Sequence, residues 1–321
     1  MKKALFAALA GAVVLAGCAK TEVVKTSDSV NIRFDNAYVG NPTKATVNQI
    51  TEDQFDNFYV LATTTDNPTF FNNEKVYLEN GVYTYDVLKL WEQGAGYAFA
   101  AYSNGGYAAG TDGKLENVSF ANGILTITDY TVHNEDKRDL VASISSTNLE
   151  DVNTPVQFGF NHALAMVKFT LINGLGENEI QITDFSVIDV PNTATMTLDA
   201  DGMEWGATSA ATTFTSADFT CAANGEGVSG EGVSDEFVVI PVQGGTSLKI
   251  SFTATVTPTN GGDASAKTLK ATIDTYQWQA GMRYNYKATI TASDMDYIEF
   301  ADPTVTPWDD YTDIEEDIDK Q

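Results

Sequence analysis

Short apolar-rich runs, each closed by Gly, Asn or Pro, limit what this chain can fold into. Phe58-Tyr59-Val60-Leu61-Ala62 is one such run. Val82 to Leu90 alternates behind the turn residues Glu79-Asn80-Gly81. Tyr97-Ala98-Phe99-Ala100-Ala101-Tyr102 stops at Asn104-Gly105-Gly106, and Asn122-Gly123 precedes Ile124-Leu125-Thr126-Ile127. Alternation sends successive side chains to opposite faces of a strand, and Asn and Gly accept the positive φ of tight hairpins. No stretch repeats its apolar residues at the helical period for more than a few turns. Strand follows strand without a crossover helix, which excludes βαβ units and predicts β-sandwiches. The abundance of Tyr, Phe, Val and Thr suits pleated, half-buried surfaces.

The chain is long enough for two such domains. Ser143 to Pro155 is a softer stretch, and the run from Val156 to Leu171 after it is expected to begin the second domain. Val167, Phe169 and Leu171 share one face by alternation, with Lys168 and Thr170 pointing away. Those three, with Phe160, are the expected core of the second domain. Further strands are expected over Ile180 to Val190, Ala194 to Leu198, Phe237 to Pro241, Leu248 to Val256 and Arg283 to Ile290. The expected units are residues 45–155 and 156–298, followed by a C-terminal extension, 299–321, that ends in an acidic tail.

The formal net charge of −26 argues against nucleic acid or an anionic membrane face as a partner, since both need clustered Lys and Arg. The two cysteines, Cys18 and Cys221, are too far apart and too few for a disulfide scaffold. Cys221 reads as a small buried hydrophobe. No metal-ligand spacing occurs, no cofactor is expected, and His133 and His162 stand apart from any ligand cluster. His133 lies near Glu135 and Asp136, but no nucleophile elbow accompanies them, so no catalytic residue is assigned and an enzyme is not expected. The Gly-rich segment Asn224 to Gly232 lacks the Lys and the following helix of a phosphate cradle. Trp91, Trp205 and Trp278 raise the alternative of a monomeric surface lipoprotein that stacks glycans on exposed rings. The commoner fate of such rings is core packing.

The N-terminus carries the most specific signals. Lys2 and Lys3 precede an apolar run, Ala4 to Leu15, that is too short to span a bilayer and suits a secretory leader, residues 1–17. It closes on Leu15-Ala16-Gly17-Cys18, which resembles the bacterial lipobox. Cleavage is expected between Gly17 and Cys18, with acyl chains such as palmitate on Cys18. Several chains on one residue anchor stably where one does not. Residues 18–44 then hold a polar tether and a strand, Val30-Asn31-Ile32-Arg33-Phe34, whose Val30, Ile32 and Phe34 point one way. The loop Gly40-Asn41-Pro42-Thr43-Lys44-Ala45 follows, with one basic residue in a setting that proteases favour.

The lipobox, VNIRF, NPTKA, Trp91 with YAFAAY, FNHALAMVKFTL, WQAGMRYNY, and the closing IEF and VTPW occur in this order. Together they resemble the fimbrillin family, the pilins of type V pili, over nearly the whole chain. The resemblance implies two tandem transthyretin-like β-sandwiches with a cleavable N-terminal strand and a C-terminal extension. It implies an outer-membrane lipoprotein precursor that ends in an extracellular fimbrium and supports cell adhesion. A trypsin-like protease is implied to cut between Lys44 and Ala45, where the family commonly has Arg. The vacated groove is then implied to take a C-terminal segment of another copy or another pilus subunit, here around Val305 and Trp308. The lipobox expectation has a direct check: Cys18→Ser should abolish metabolic acyl labelling of the precursor, and unchanged labelling would refute it.

Overall fold

The structure is a computed structural model. It describes residues 30–39, 57–92, 96–105, 113–132, 134, 138–147, 154–223, 230–245, 247–259, 261–293 and 298–308. The described residues form strands, turns and irregular segments and contain no helix. The strands of the first part are β1 (Phe34–Val39), β2 (Asn57–Thr64), β3 (Phe71–Glu79), β4 (Val82–Thr84), β5 (Tyr97–Ser103), β6 (Val118–Ala121), β7 (Ile124–Thr131), β8 (Val141–Thr147) and β9 (Val156–His162). The Asn-Gly turns fall where expected. Asn80-Gly81 joins β3 to β4 with φ of 51° and 76°, and Asn122-Gly123 joins β6 to β7 with φ of 53° and 78°. Two consecutive positive φ values give the hairpin turn whose twist matches that of the strands.

Seven of these strands make one sheet in the order β1-β9-β8-β5-β2-β3-β4. Within it β1 and β9 pair in parallel, while the other described pairs are antiparallel. Both faces are buried. In β2, Phe58, Val60 and Ala62 join an aromatic core on one face, and Tyr59 and Leu61 join the main core on the other. That explains why Phe58 to Ala62 reads as a continuous apolar run rather than an alternating one.

The second part supplies β10 (Ala165–Asn173), β11 (Glu179–Asp199), β12 (Gly202–Trp205), β13 (Ala210–Thr215), β14 (Phe219–Cys221) and β15 (Glu231–Val233). After these come β16 (Phe237–Val239), β17 (Val242–Gly245), β18 (Leu248–Thr257), β19 (Ser265–Ile273), β20 (Tyr276–Trp278), β21 (Met282–Ile290) and β22 (Thr304–Pro307). A five-stranded sheet runs β15-β10-β21-β22 with β16 also on β10. An eight-stranded sheet runs β19-β18-β11-β7-β6, with β12, β13 and β14 also on β11. The two pack face to face: the Phe169 ring of β10 meets the Phe185 ring of β11 at 5.3 Å in a tilted contact, and Phe185 stacks at 5.7 Å on Phe252 of β18 in its own sheet. β11 fuses two strands expected separately. Its ladder shifts register near Asp184 and Asp189, both at positive φ, so it bends: Glu179 to Ile188 pair with β18, and Thr193 to Leu198 pair with β7. One strand thus carries the main core from one half of the chain to the other.

The run from Val156 to Leu171, expected to begin the second domain, is divided between two sheets. It breaks at Ala163-Leu164, where the Ala163 N–H donates to the Leu140 carbonyl at 2.7 Å. β9 stays with the first sheet, so Phe160 is buried in the aromatic core rather than in the second half. Ser143, expected in a soft connection, sits buried inside β8. Val167, Phe169 and Leu171 are buried as expected, but Thr170 is buried too, on the opposite face, with its hydroxyl donating to Asn285 at 2.8 Å. Cys221 is a buried hydrophobe: its thiol approaches the Leu171 carbonyl at 3.4 Å, and burial pushes its pKa from 9.0 to about 11. Phe169 lies against the rings of Phe185, Phe237, Tyr286 and Phe300, so Phe169→Ala should cost ~3–5 kcal/mol in denaturant titration. A loss below ~1 kcal/mol would contradict this packing.

Candidate functional site

The stretch Val30 to Phe34, expected as a strand, is irregular up to Arg33 and enters β1 only at Phe34; it lies between two backbone edges. On one side the Val156 N–H donates to the Arg33 carbonyl at 2.7 Å, and β1 continues beside β9 with Phe34 opposite Val156 and Asp35 opposite Gln157. On the other side the Ile32 N–H donates to the Lys89 carbonyl at 2.8 Å and the Trp91 N–H to the Val30 carbonyl at 3.1 Å, around a bridge between Asn31 and Leu90. The expected alternation of Val82 to Leu90 ends at Thr84 because residues 85–91 leave β4 to form this second edge. The segment therefore joins the β9 edge of the first sheet to the chain that follows β4.

Its side chains fill an apolar slot. Ile32 is 1% exposed and Phe34 3%, while Arg33 faces out. The Phe34 ring meets five others, edge-on to Phe58, Phe71, Tyr85 and Phe99 and stacked on Phe158, with centroids between 5.6 Å (Phe71, Tyr85) and 6.3 Å (Phe99). Tyr85 adds a polar tie. Its hydroxyl donates to the Ile32 carbonyl at 2.7 Å and accepts from the Lys89 N–H at 3.2 Å. Burial raises the pKa of this phenol, against a hydrogen bond from the Lys89 backbone, so it stays protonated and able to donate. The Lys89 ammonium lies 5.0 Å from the Phe71 ring centroid and 3.4 Å from Glu74, closing the rim.

The C-terminal segment is docked in its own chain. β22 is the end strand of the five-stranded sheet, with Val305 opposite Tyr284 and Thr306 opposite Arg283. Val305 is 44% exposed. Trp308 is buried, its N–H donating to Gly281 at 2.8 Å and its ring stacked on His162 at 4.6 Å. His162 Nδ1 lies 2.7 Å from Asp139 Oδ2. β9 thus bears the N-terminal segment along its edge and the end of β22 at its last residue, a connection that no spacing in the sequence signals.

A family model described as Fimbrillin-like matches residues 43–308. The chain belongs to the fimbrillin-like family. Membership makes it a structural fimbrial protein rather than an enzyme. Among curated proteins no sequence matches the chain. A protein of Bacteroides uniformis named for cell adhesion shares 18% identity at a TM-score of 0.50, over 88% of this chain and 99% of that one. A second protein named for cell adhesion, from Bacteroides ovatus, shares 14% at 0.49, over 87% and 97%. The fimbrial anchor protein Mfa2 of Porphyromonas gingivalis shares 12% at 0.38, over 87% and 97%. At such identities the first likeness is one of fold.

Of the site residues read from the sequence, Ile32 and Phe34 are at the centre of the fimbrillin slot, and Val30 is half-buried at its entrance. Gly17, Cys18, Lys44, Ala45, His133, Glu135, Asp136 and the acidic tail lie outside the described residues. The four tryptophans do not form an exposed stacking platform. Trp278 and Trp308 are buried, and Trp91 and Trp205 are half-buried, Trp91 against Tyr97 and Trp205 donating to the Ala163 carbonyl at 2.8 Å. Sequence reasoning missed Tyr85 and the edge at 89–91, because the pairing there is irregular and leaves no period. Phe34→Ala should remove ~3–5 kcal/mol from the slot. Backbone amides of β9 should then exchange hydrogen faster than in wild type, while those of β18 stay unchanged.

Proposed function

We propose that this fimbrillin is a pilus subunit assembled by protease-triggered strand exchange. The observation that carries the reading is the placement of Val30 to Phe34 between β9 and residues 89–91, upstream of the single basic residue in the loop at Lys44. The precursor is exported with a lipid on Cys18 and held at the outer membrane. While the segment is in place, both edges are paired and the aromatic slot is full. A trypsin-like cut after Lys44 disconnects the segment from the fold, and it leaves. Two backbone edges and the lining of Phe58, Phe71, Tyr85, Phe99 and Phe158 are then open, a combination avid for another strand. Refilling the slot with two or three apolar side chains returns roughly 1.5–3 kcal/mol each, before ordering costs. The replacement comes from the C-terminal region of another copy or another pilus subunit. Such a head-to-tail contact does not close on itself, so it builds an extracellular filament.

The test is Lys44→Ala in the full precursor. The variant should be lipidated and accumulate as monomer after trypsin treatment, while wild type forms ladders on an unboiled gel. Equal ladders from the variant would show that Lys44 is not the switch.

A further inference from the structure

We infer that the segment donated to the next copy starts at Ile298, and that Ile298 and Phe300 take the places of Ile32 and Phe34; this rests on the strand-exchange reading above. The slot asks for two apolar side chains on one face, two residues apart, the second of them aromatic. Val305 and Trp308 do not meet that demand. They are three residues apart, so a strand points them to opposite faces, and Pro307 between them has no N–H to give to an edge.

Ile298-Glu299-Phe300 repeats Ile32-Arg33-Phe34, with a charged residue between the two apolar ones. The alternation is also shared in the fold. Ile32 and Phe34 are buried around exposed Arg33, and Ile298 is buried and Phe300 half-buried around exposed Glu299. Aligned without a gap, Ala301 falls at Asp35, Thr304 at Tyr38 and Val305 at Val39, three positions that pair with β9. Pro303 falls at Ala37. That position lies inside the break in the β1–β9 register between Asp35 and Tyr38, where no ladder hydrogen bond is required of it. Val305 therefore stays in the donated segment, as its far end, and Trp308 lies beyond the paired stretch of β1.

The other Ile-x-Phe triplet, Ile250-Ser251-Phe252, is locked in β18 with ladders to β11 and β19 on its two sides. Residues 298–301 belong to no strand. They are parked by two backbone hydrogen bonds, Ile298 N–H to Lys270 and Ala301 N–H to Lys287, each 2.9 Å. The Phe300 ring touches Phe169 edge-on at 5.5 Å. An open cleft of about 580 Å³ lies beside them, lined by Ile172, Lys287, Thr289, Ile298 and Glu299. A segment with the slot's pattern is thus held in its own chain outside any strand, with Ile298 in the main core and Phe300 against it, beside an open cleft.

Fluorescent peptides test the assignment against the full chain, trypsin-cut and uncut, by anisotropy. The peptides are residues 296–306, the same with Phe300→Ala, residues 303–308, and residues 30–39 as a control. The expected result is that 296–306 binds the cut protein and not the uncut one, and that Phe300→Ala weakens binding by about tenfold or more, as loss of a buried aromatic anchor does. Equal binding of the Phe300→Ala peptide, or tighter binding of 303–308, overturns the assignment. If 30–39 binds and 296–306 does not, the donor assignment fails while strand exchange stands. If 30–39 also fails to bind the cut protein, the slot reading fails and this inference with it.

Discussion

The first sheet depends on one ring. Phe34 enters an aromatic cluster drawn from β2, β3, β5, β9 and the residues after β4, so five parts of the sheet are registered against a single side chain. Rings meeting edge to face gain more than their buried area alone. The backbone of the same segment ties the β9 edge to the chain after β4. A sheet with two free edges and an apolar face is a hazard in water. Here one short segment covers both edges and the face together. It reaches β9 from far away in sequence and runs parallel to it, with no hairpin binding the two. The tie between this segment and its slot is therefore made of contacts rather than of local chain.

That separation suits the exchange proposed for the segment. The second half has a different construction: its core is continuous with the main core of the first, because the bent β11 pairs with β18 at one end and with β7 at the other. Gly232 shows how closely it is packed. A Cβ there would stand 2.8 Å from the Cys221 sulfur, so the backbone of β15 passes where no side chain fits. The aromatic cluster and the main core lie on opposite faces of the first sheet, so the slot and this core are built from separate side chains. β9 is the strand shared by both ends of the chain, carrying Phe158 and Phe160 into the slot and His162 onto Trp308.

Much of the fold was legible because strands and hairpin turns are encoded locally. Asn80-Gly81 and Asn122-Gly123 turn where positive φ is needed, and the apolar runs at Phe58, Tyr97, Leu248 and Arg283 become β2, β5, β18 and β21. Burial of Ile32 and Phe34 was readable from alternation, and that of Cys221 from the absence of any partner for it. Where a strand goes is a different matter. Nothing local in Val156 to Leu171 says that the chain changes sheets at Ala163, since both halves are equally apolar. Nothing in Asp184 or Asp189 says that β11 bends there instead of ending.

By itself, then, the sequence determined an all-β chain, its Asn-Gly turns, the apolar face of β10 and a segment near the N-terminus with an apolar side to hide. Those follow from periodicity and from the φ that each residue tolerates, which are properties of neighbours along the chain. Only the tertiary structure decided the pairing of β1 with β9, the second edge at residues 89–91, the five-ring setting of Phe34 and the docking of Trp308 on His162. Those join residues far apart in sequence, and hydrogen-bonding edges and apolar faces are alike enough from strand to strand that the packing of the whole chain must choose among them.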